Sequence, residues 1–415
     1  MDSFKKSIKR LAGYLHSVLQ LRHTRLGVED LGARLAKVEQ QIRDTERQLQ
    51  TNREMLEFCS LDLQNRMVSE RAKVAFDPGK LFSDREDMAV VYSPTDDKDF
   101  DGGPNEHLKN LLKTPFISNS NFQSAELIAL TKMTPDSPDF LGSLVRSKSN
   151  DIPLYFFQTT FFGAYASPFD KKSGYTEKKA LGFIVDDLGF HFDSRLPSRL
   201  ELSLNDKDLS LTAEQQSEAR RLIDRLIRRR ITKYNKYVSA DAAPTDLPEG
   251  SVLVIDQNRQ DASVRYCGAG PSAFDDMLKA AIAENPHKRV YVKAHPDNRR
   301  AAGEAFATKA GAELLPDNIS VVDALEAASS VYTVSSQVGF EALLRGIHVV
   351  VWGQPFYAGW GLTDDRCPLP RRQATRTIEE LFYIACIKHS IYIDPATGRH
   401  TVLNSTIDRF LDMRK

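Results

Sequence analysis

The chain has 415 residues, 41% hydrophobic and 27% charged, which fits a soluble globular protein of two medium domains plus an extension. Its 56 basic and 56 acidic residues cancel, arguing against a dedicated nucleic-acid binder. The four cysteines (Cys59, Cys267, Cys367, Cys386) form no CxxC pair, which excludes a zinc ribbon, gives no hint of a disulfide framework, and points to a reducing cytoplasm.

No run of about 18 apolar residues exists, and the N-terminus lacks an uninterrupted apolar stretch, so neither a spanning helix nor a signal peptide is expected. In residues 1–25, Lys5, Lys6, Lys9 and Arg10 flank Phe4, Ile8, Leu11, Leu15 and Leu19. Such a helix either rests on an anionic membrane surface or is an ordinary helix entering the next one. From Val28 the apolar positions step by three and four through Leu31, Leu35, Val38, Ile42, Leu49, Leu56 and Leu63, with Thr45, Asn52 and Cys59 in the same seam. That heptad repeat predicts a coiled coil, intermolecular or hairpin, and hence a homo-oligomer through residues 28–63. A helix laid on its own globular part shows a similar but wider stripe.

A break at Asp77-Pro78-Gly79 ends this first region, residues 1–76. Ala89 to Tyr92, Ile152 to Phe157 and Ala180 to Val185 read as strands, and Leu211 to Lys236 as a helix opened by Thr212. Its basic run Arg225 to Arg230 is read as a solvated face. Residues 242–250, with two prolines, form the linker that separates a first domain (77–245) from a second (246–415). After it, short strands alternate with helices: strands 251–255, 289–293, 331–334 and 347–352, helices 274–285, 300–310, 323–329 and 338–345. That alternation means a parallel, doubly wound sheet, and two α/β halves joined by a linker imply a ligand cleft between them.

Ligands of such sheets gather at the C-terminal strand ends. Three segments of the second half lie there. Lys293-Ala294-His295-Pro296 follows one strand, and His295 either donates to a phosphate or is a satisfied structural histidine. Ser335-Ser336-Gln337 opens a helix, an anion cradle or plain N-capping. The run Gly353 to Asp365 carries three aromatic residues, which need a ligand or the opposite domain to cover them. Asp256 and Asp261 follow the first strand of this half and offer a nucleophile or base, although aspartate is also a common turn residue.

Ser335-Ser-Gln-Val-Gly-Phe-Glu-Ala-Leu-Leu-Arg-Gly346 followed by Gly353-Gln-Pro-Phe-Tyr-Ala-Gly-Trp-Gly-Leu-Thr-Asp-Asp365 closely resembles the bacterial capsule polysaccharide biosynthesis proteins, retaining β-Kdo transferases that use CMP-Kdo. Val185 to Asp193, Pro197 to Glu201, Thr232 to Asn235, Asp261 to Tyr266 and Lys293 to Asp297 look like further family segments. The resemblance implies a GT-B-like α/β architecture, two Rossmann-like domains facing a cleft, preceded here by the long helix. It also implies a CMP-sugar donor and a glycan or glycolipid acceptor. Neither cofactor nor metal is expected. His295-Pro296 and Ser335-Ser336 take the family's CMP-phosphate elements, with Lys293, Gln337, Glu341, Gln354, Tyr357 and Trp360 as further donor-binding candidates. Asp261 falls on the family aspartate and is the expected nucleophile for double displacement, with Asp256 second. Another nucleotide sugar remains the alternative donor.

The chain departs from the family at one catalytic position. Members carry Glu-Asp-Gly-Phe at the end of a first-domain strand; here Pro153 to Phe157 runs into Gln158-Thr159-Thr160-Phe161. Glutamine exchanges no proton. Either Glu177, Asp186 or Asp187 supplies the acid or base, or the chain is a catalytically impaired assembly protein.

Overall fold

The computed structural model describes residues 28–78, 91–92, 108, 116–117, 125, 127–131, 137–166, 172–174, 179–236, 238–239, 247–295, 306–307, 311–316, 319–394 and 397–414. The basic amphipathic segment 1–25, the helix expected over 300–310 (apart from residues 306–307), Glu177 and Pro296 lie outside them.

A 44-residue helix, α1 (Val28–Arg71), opens the described chain. Its last third is seated on the first domain: Gln64 donates to the Leu188 carbonyl (2.8 Å), Arg71 to those of Leu154 (3.1 Å) and Asp187 (3.3 Å). Met67 and Val68 are buried there. The spacing 60, 64, 67, 68, 71 is one helical face, so this end is an ordinary packed amphipathic helix.

The first sheet runs in spatial order β13-β12-β5-β4-β3-β1-β2. It comprises β1 (Val91–Tyr92), β2 (Phe116–Ile117), β3 (Leu127–Thr131), β4 (Leu154–Thr159), β5 (Gly182–Asp186), β12 (Ser390–Ile393) and β13 (His400–Thr401). β1 to β4 pair in parallel, whereas β5, β12 and β13 join antiparallel, so this sheet is mixed. Helices α2 (Pro138–Asn150), α3 (Arg199–Asn205) and α4 (Ala213–Arg228) belong to this half.

α4 starts as predicted, with a capping box between Thr212 and Gln215, but stops eight residues before Lys236. The reason is local. Arg230 adopts φ 53°, which ends the helix, and its guanidinium turns to pair with Asp323 and Glu326 of the second half. Asn235 then folds the next turn, accepting from the Thr232 amide (3.1 Å) and donating to the Ala164 carbonyl (3.1 Å).

The second sheet is wholly parallel, in order β11-β10-β9-β6-β7-β8, as the strand–helix alternation predicts. Its strands are β6 (Ser251–Ile255), β7 (Val290–Lys293), β8 (Glu313–Leu314), β9 (Ala328–Thr333), β10 (His348–Val351) and β11 (Asp364–Asp365). Among its helices are α5 (Ala262–Arg265), α6 (Ala273–Ala283), α7 (Val321–Ala327) and α8 (Gln337–Leu344).

The domain expected at 246–415 needs one correction. After β11 the chain crosses back. α9 (Ile378–Phe382) continues into a π-helical turn, Tyr383–Lys388, then β12 pairs with β5, and α10 (Leu403–Met413) closes the chain against the first half. All four β12 residues are buried, and a strand buried on both faces requires neighbours on both edges, which β5 and β13 supply. The crossing is pinned by Glu201 of α3, which accepts from Arg371 (2.7 Å) and Arg372 (3.0 Å).

Candidate functional site

β6 and β9 are neighbours from which the chain departs in opposite directions, towards β7 and β10 respectively. That is the topological switch point, where two connections diverge and leave a crevice at the C-terminal strand ends. The segments after β6 (Asp256 to Ser263) and after β9 (Ser335, Ser336) meet there. Gln257 ties them: its Oε1 accepts from the Ser335 amide (2.9 Å) and its Nε2 donates to Ser335 Oγ (3.1 Å).

The two serines are not equivalent. Ser335 donates its hydroxyl proton to the Ser263 carbonyl (2.7 Å), so that proton is committed to the scaffold. Ser336 is the N-cap of α8; its Oγ accepts from the Val338 amide (3.3 Å), and no described residue takes its proton. Ser336 is therefore the hydroxyl able to donate to an anion, with the first turn of α8 behind it. Lys293 ends β7, the strand on the other side of β6, and His295 lies two residues later; both are half-buried.

The two aspartates also separate. The Asp256 side chain is 2% exposed and paired with Arg259, whose guanidinium lies 3.8 Å from the Phe274 ring centroid. The carboxylate is thus buried and tied to a guanidinium that is itself partly exposed. Asp261 is exposed and caps α5, with Oδ1 accepting from the Ser263 amide (2.8 Å) and hydroxyl (2.6 Å). Its Oδ2 has no partner among the described residues. Of the two, Asp261 is the carboxylate open to solvent.

The glycine- and aromatic-rich run after β10 is covered by the opposite domain. Phe356 stacks on Phe161 of the first half at 4.1 Å between centroids, and Tyr357 and Trp360 are fully buried. Tyr357 donates to the Ser336 carbonyl (2.6 Å) and Trp360 to that of Phe356 (2.8 Å). These two rings, expected as donor contacts, have no surface to offer a ligand; Tyr357 holds the N-terminus of α8, and Trp360 braces the Phe356 turn.

Glu341 and Gln337 need the same correction. Glu341 is 1% exposed and accepts from the Thr232 hydroxyl and the Lys233 amide (3.1 Å) of the first half. Gln337 donates to the Phe161 carbonyl (2.5 Å). Both residues link the domains. Gln354 bridges two loops beside the crevice, its backbone amide donating to the Cys267 carbonyl (2.7 Å) and its Nε2 to the Pro368 carbonyl (2.8 Å).

Close packing under α8 leaves no room for a methyl group at Gly339. A Cβ there would stand 2.3 Å from the Tyr357 hydroxyl and 3.0 Å from Thr333 Cγ2. Gly339→Ala is expected to lower stability by about 1–3 kcal/mol through overpacking, read as an earlier urea midpoint at unchanged m-value.

Across the crevice, Gln158 lies inside β4, in register with Ile184, and not beyond the strand end. Of the carboxylates considered as replacements, the two among the described residues, Asp186 and Asp187, are engaged. Asp186 is buried and accepts from the amides of Leu188 (2.8 Å), Gly189 (3.1 Å) and Leu200 (3.2 Å); burial outweighs these bonds and pushes it up to about 6. Asp187 forms a two-toothed pair with Arg199 at 2.8 Å for both contacts. His191 was not singled out by sequence reasoning. It stands edge-on to Phe161 (5.2 Å) and Phe356 (5.9 Å), and burial with the nearby Lys233 cation lowers it to about 3, so it is neutral at pH 7. Only its place inside the Val185 to Asp193 segment could have marked it.

Two Rossmann-like halves around a switch-point crevice, with the chain returning to its first sheet, define a GT-B-like protein. The solved structures agree with that class. One, "Thermosulfurimonas dismutans KpsC, beta Kdo 2,4 transferase", is 27% identical and covers 79% of this chain and 99% of its own, with a TM-score of 0.65. The companion "beta Kdo 2,7 transferase" structure is 21% identical, with a TM-score of 0.57. Residues 214–394 match the family described as capsule polysaccharide biosynthesis protein. The capsule polysaccharide modification protein LipA of Neisseria meningitidis serogroup B is 34% identical over 245 residues, 56% of this chain and 35% of LipA. The lipopolysaccharide-processing protein LpsZ of Rhizobium meliloti is 32% identical over 241 residues, 55% of this chain and 54% of LpsZ. The chain thus spans between a third and about half of the length of these curated relatives.

Among the described residues no group of three or more His, Cys, Asp or Glu side chains is placed to hold a metal ion. No described helix is long and apolar enough to cross a membrane.

Proposed function

We propose that this chain is a glycosyltransferase that moves Kdo from CMP-Kdo to a surface polysaccharide or its lipid-linked acceptor with retention of configuration. One observation carries the reading: the switch point gathers an uncommitted hydroxyl (Ser336) at a helix N-terminus, the Lys293 and His295 strand end, and a solvent-facing carboxylate (Asp261). Ser336 and the α8 amides hold the donor phosphate, and Lys293 with His295 neutralises the departing CMP. Asp261 attacks the anomeric carbon and holds the sugar until the acceptor hydroxyl displaces it. Site and acceptor both lie at the cytoplasmic side of the membrane in this reading.

The impaired-assembly-protein alternative draws on Gln158 and on the engagement of Asp186 and Asp187. Incubation with CMP-Kdo separates the two. CMP release together with a mass increase on the intact protein is expected, and Asp261→Ala should lose both, with turnover down at least about 10³-fold. A retained adduct in Asp261→Ala would reassign the nucleophile; no release from wild type, with CMP still raising the melting temperature, would leave a binding protein. A shift with UMP or GMP equal to that with CMP would point to another nucleotide sugar.

A further inference from the structure

Among the described residues no other element covers the apolar stripe of α1 from Lys37 to Met55. From Lys37 to Met55 nearly every residue is exposed, among them Ile42 (38%) and Leu49 (49%). Residues 28–56 of a helix span about 43 Å at the usual rise. A solitary helix of that kind is marginal in water, since helix stability in proteins comes mostly from packing of an apolar face. At 100° per residue, Val38, Ile42, Leu49 and Leu56 lie on the continuation of the face that Gln64, Met67 and Val68 use on the first domain. The same stripe is covered at one end and bare at the other.

We infer that the bare stripe is covered by a second copy of this chain, in a parallel, in-register two-stranded coiled coil over residues 28–56. Taking Ile42 as an a position, the a layers are Leu35, Ile42, Leu49 and Leu56, and the d layers Val38, Thr45 and Asn52. In-register pairing sets each polar d residue against itself, so the two Asn52 amides bond one another. An antiparallel pair would set Asn52 against an apolar a residue and leave the amide unpaired. The flanking g–e positions agree: Gln41–Glu46 and Gln48–Arg53 bring no like charges together across the pair. Beyond about residue 57 the helices must part, because Ser60, Gln64 and Met67 are buried on each copy's own domain. Phe58, 72% exposed, faces away from the seam.

Light scattering of the full chain is expected to give about 93 kDa, twice the 46.7 kDa monomer. The double variant Ile42→Glu/Leu49→Glu should give 46.7 kDa while keeping the cooperative unfolding transition of the globular part. A monomeric wild type, or a variant still dimeric, overturns the inference. In a Cys59→Ser background, Thr45→Cys should form an interchain disulfide on mild oxidation, whereas Cys59→Ser alone should not; a dimer that fails to cross-link overturns the parallel register. Binding of monomeric wild type to phosphatidylglycerol vesicles, abolished by Leu49→Glu, would assign the stripe to a lipid surface and overturn the dimer.

Discussion

Glu341→Ala is expected to destabilise the chain by about 3–5 kcal/mol, the scale for breaking a buried charged network from one side. The Glu341 carboxylate is 1% exposed and sits between the halves, accepting from the Thr232 hydroxyl and the Lys233 amide. Burial raises its pKa, and the Arg345 cation beside it pulls the other way. Arg345 is itself largely buried; its Nη1 reaches the Glu341 carbonyl (2.8 Å), while its Nε and Nη2 have no described partner. Removing the carboxylate takes a nearby counter-charge from that guanidinium, whose bond to the Glu341 backbone carbonyl remains, and leaves two donors of the first half without an acceptor. Glu341→Gln keeps an acceptor and loses only the charge, so its cost should fall between wild type and alanine. Urea unfolding at pH 7 measures both, and a cost below about 1 kcal/mol for Glu341→Ala would refute the role given to this pin. Lost activity with full stability would instead return Glu341 to the ligand.

The second large effect is a pH dependence set by His389. The residue is wholly buried beneath β5, with Nε2 on the Ser203 hydroxyl (2.9 Å) and its own carbonyl accepting from the Val185 amide (3.1 Å). Burial, helped by the Lys388 and Arg199 cations, lowers its pKa to about 3. An unfolded histidine titrates near 6.5. Below that pH the unfolded chain binds a proton that the folded chain refuses, so stability falls as pH drops. The loss is about 1.4 kcal/mol per pH unit and saturates near 5 kcal/mol once the pH passes the folded value. His191, also lowered to about 3, acts in the same direction.

Asp186, raised to about 6, opposes them: between about 6 and its ordinary value the folded chain keeps a proton that the unfolded chain has released. Glu341 and Asp365, raised by burial, side with Asp186. The whole-protein curve is therefore flatter than any single group, and a difference measurement is needed. His389→Gln retains a partner for Ser203 and removes the titration. The stability gap between wild type and His389→Gln should shift in the variant's favour by about 1.4 kcal/mol per unit from pH 6.5 downward. A gap constant from pH 7 to pH 5 would show that His389 takes its proton in the folded state.

How the site divides between sequence and structure can be followed residue by residue. Strands β6, β7, β9 and β10 and helices α6, α7 and α8 of the second half were legible because each of these parallel strands is a short apolar run between turn signals, and a parallel sheet buries both faces of its strands. That alone located the C-terminal ends of β6, β7 and β9, and with them Asp261, His295 and Ser336. It could not separate Asp261 from Asp256 or Ser336 from Ser335, because proton commitments depend on Arg259, Gln257 and the Ser263 carbonyl, which the fold brings together. Nor could it read the first sheet beyond β5, where β12 arrives from about 200 residues along the chain.

For this protein the sequence by itself determined the likeness to the capsule polysaccharide biosynthesis family over part of the chain, the doubly wound second half and the heptad stripe of α1, all of which rest on local period and local motif. Only the tertiary structure decided where the stripe stops being covered, that the last segment completes the first sheet, that Tyr357 and Trp360 are buried within their own half, and that Gln337 and Glu341 reach the other domain. Those outcomes depend on which surfaces meet, and a buried ring or carboxylate reads the same in sequence whether its neighbour is a ligand or the rest of the chain.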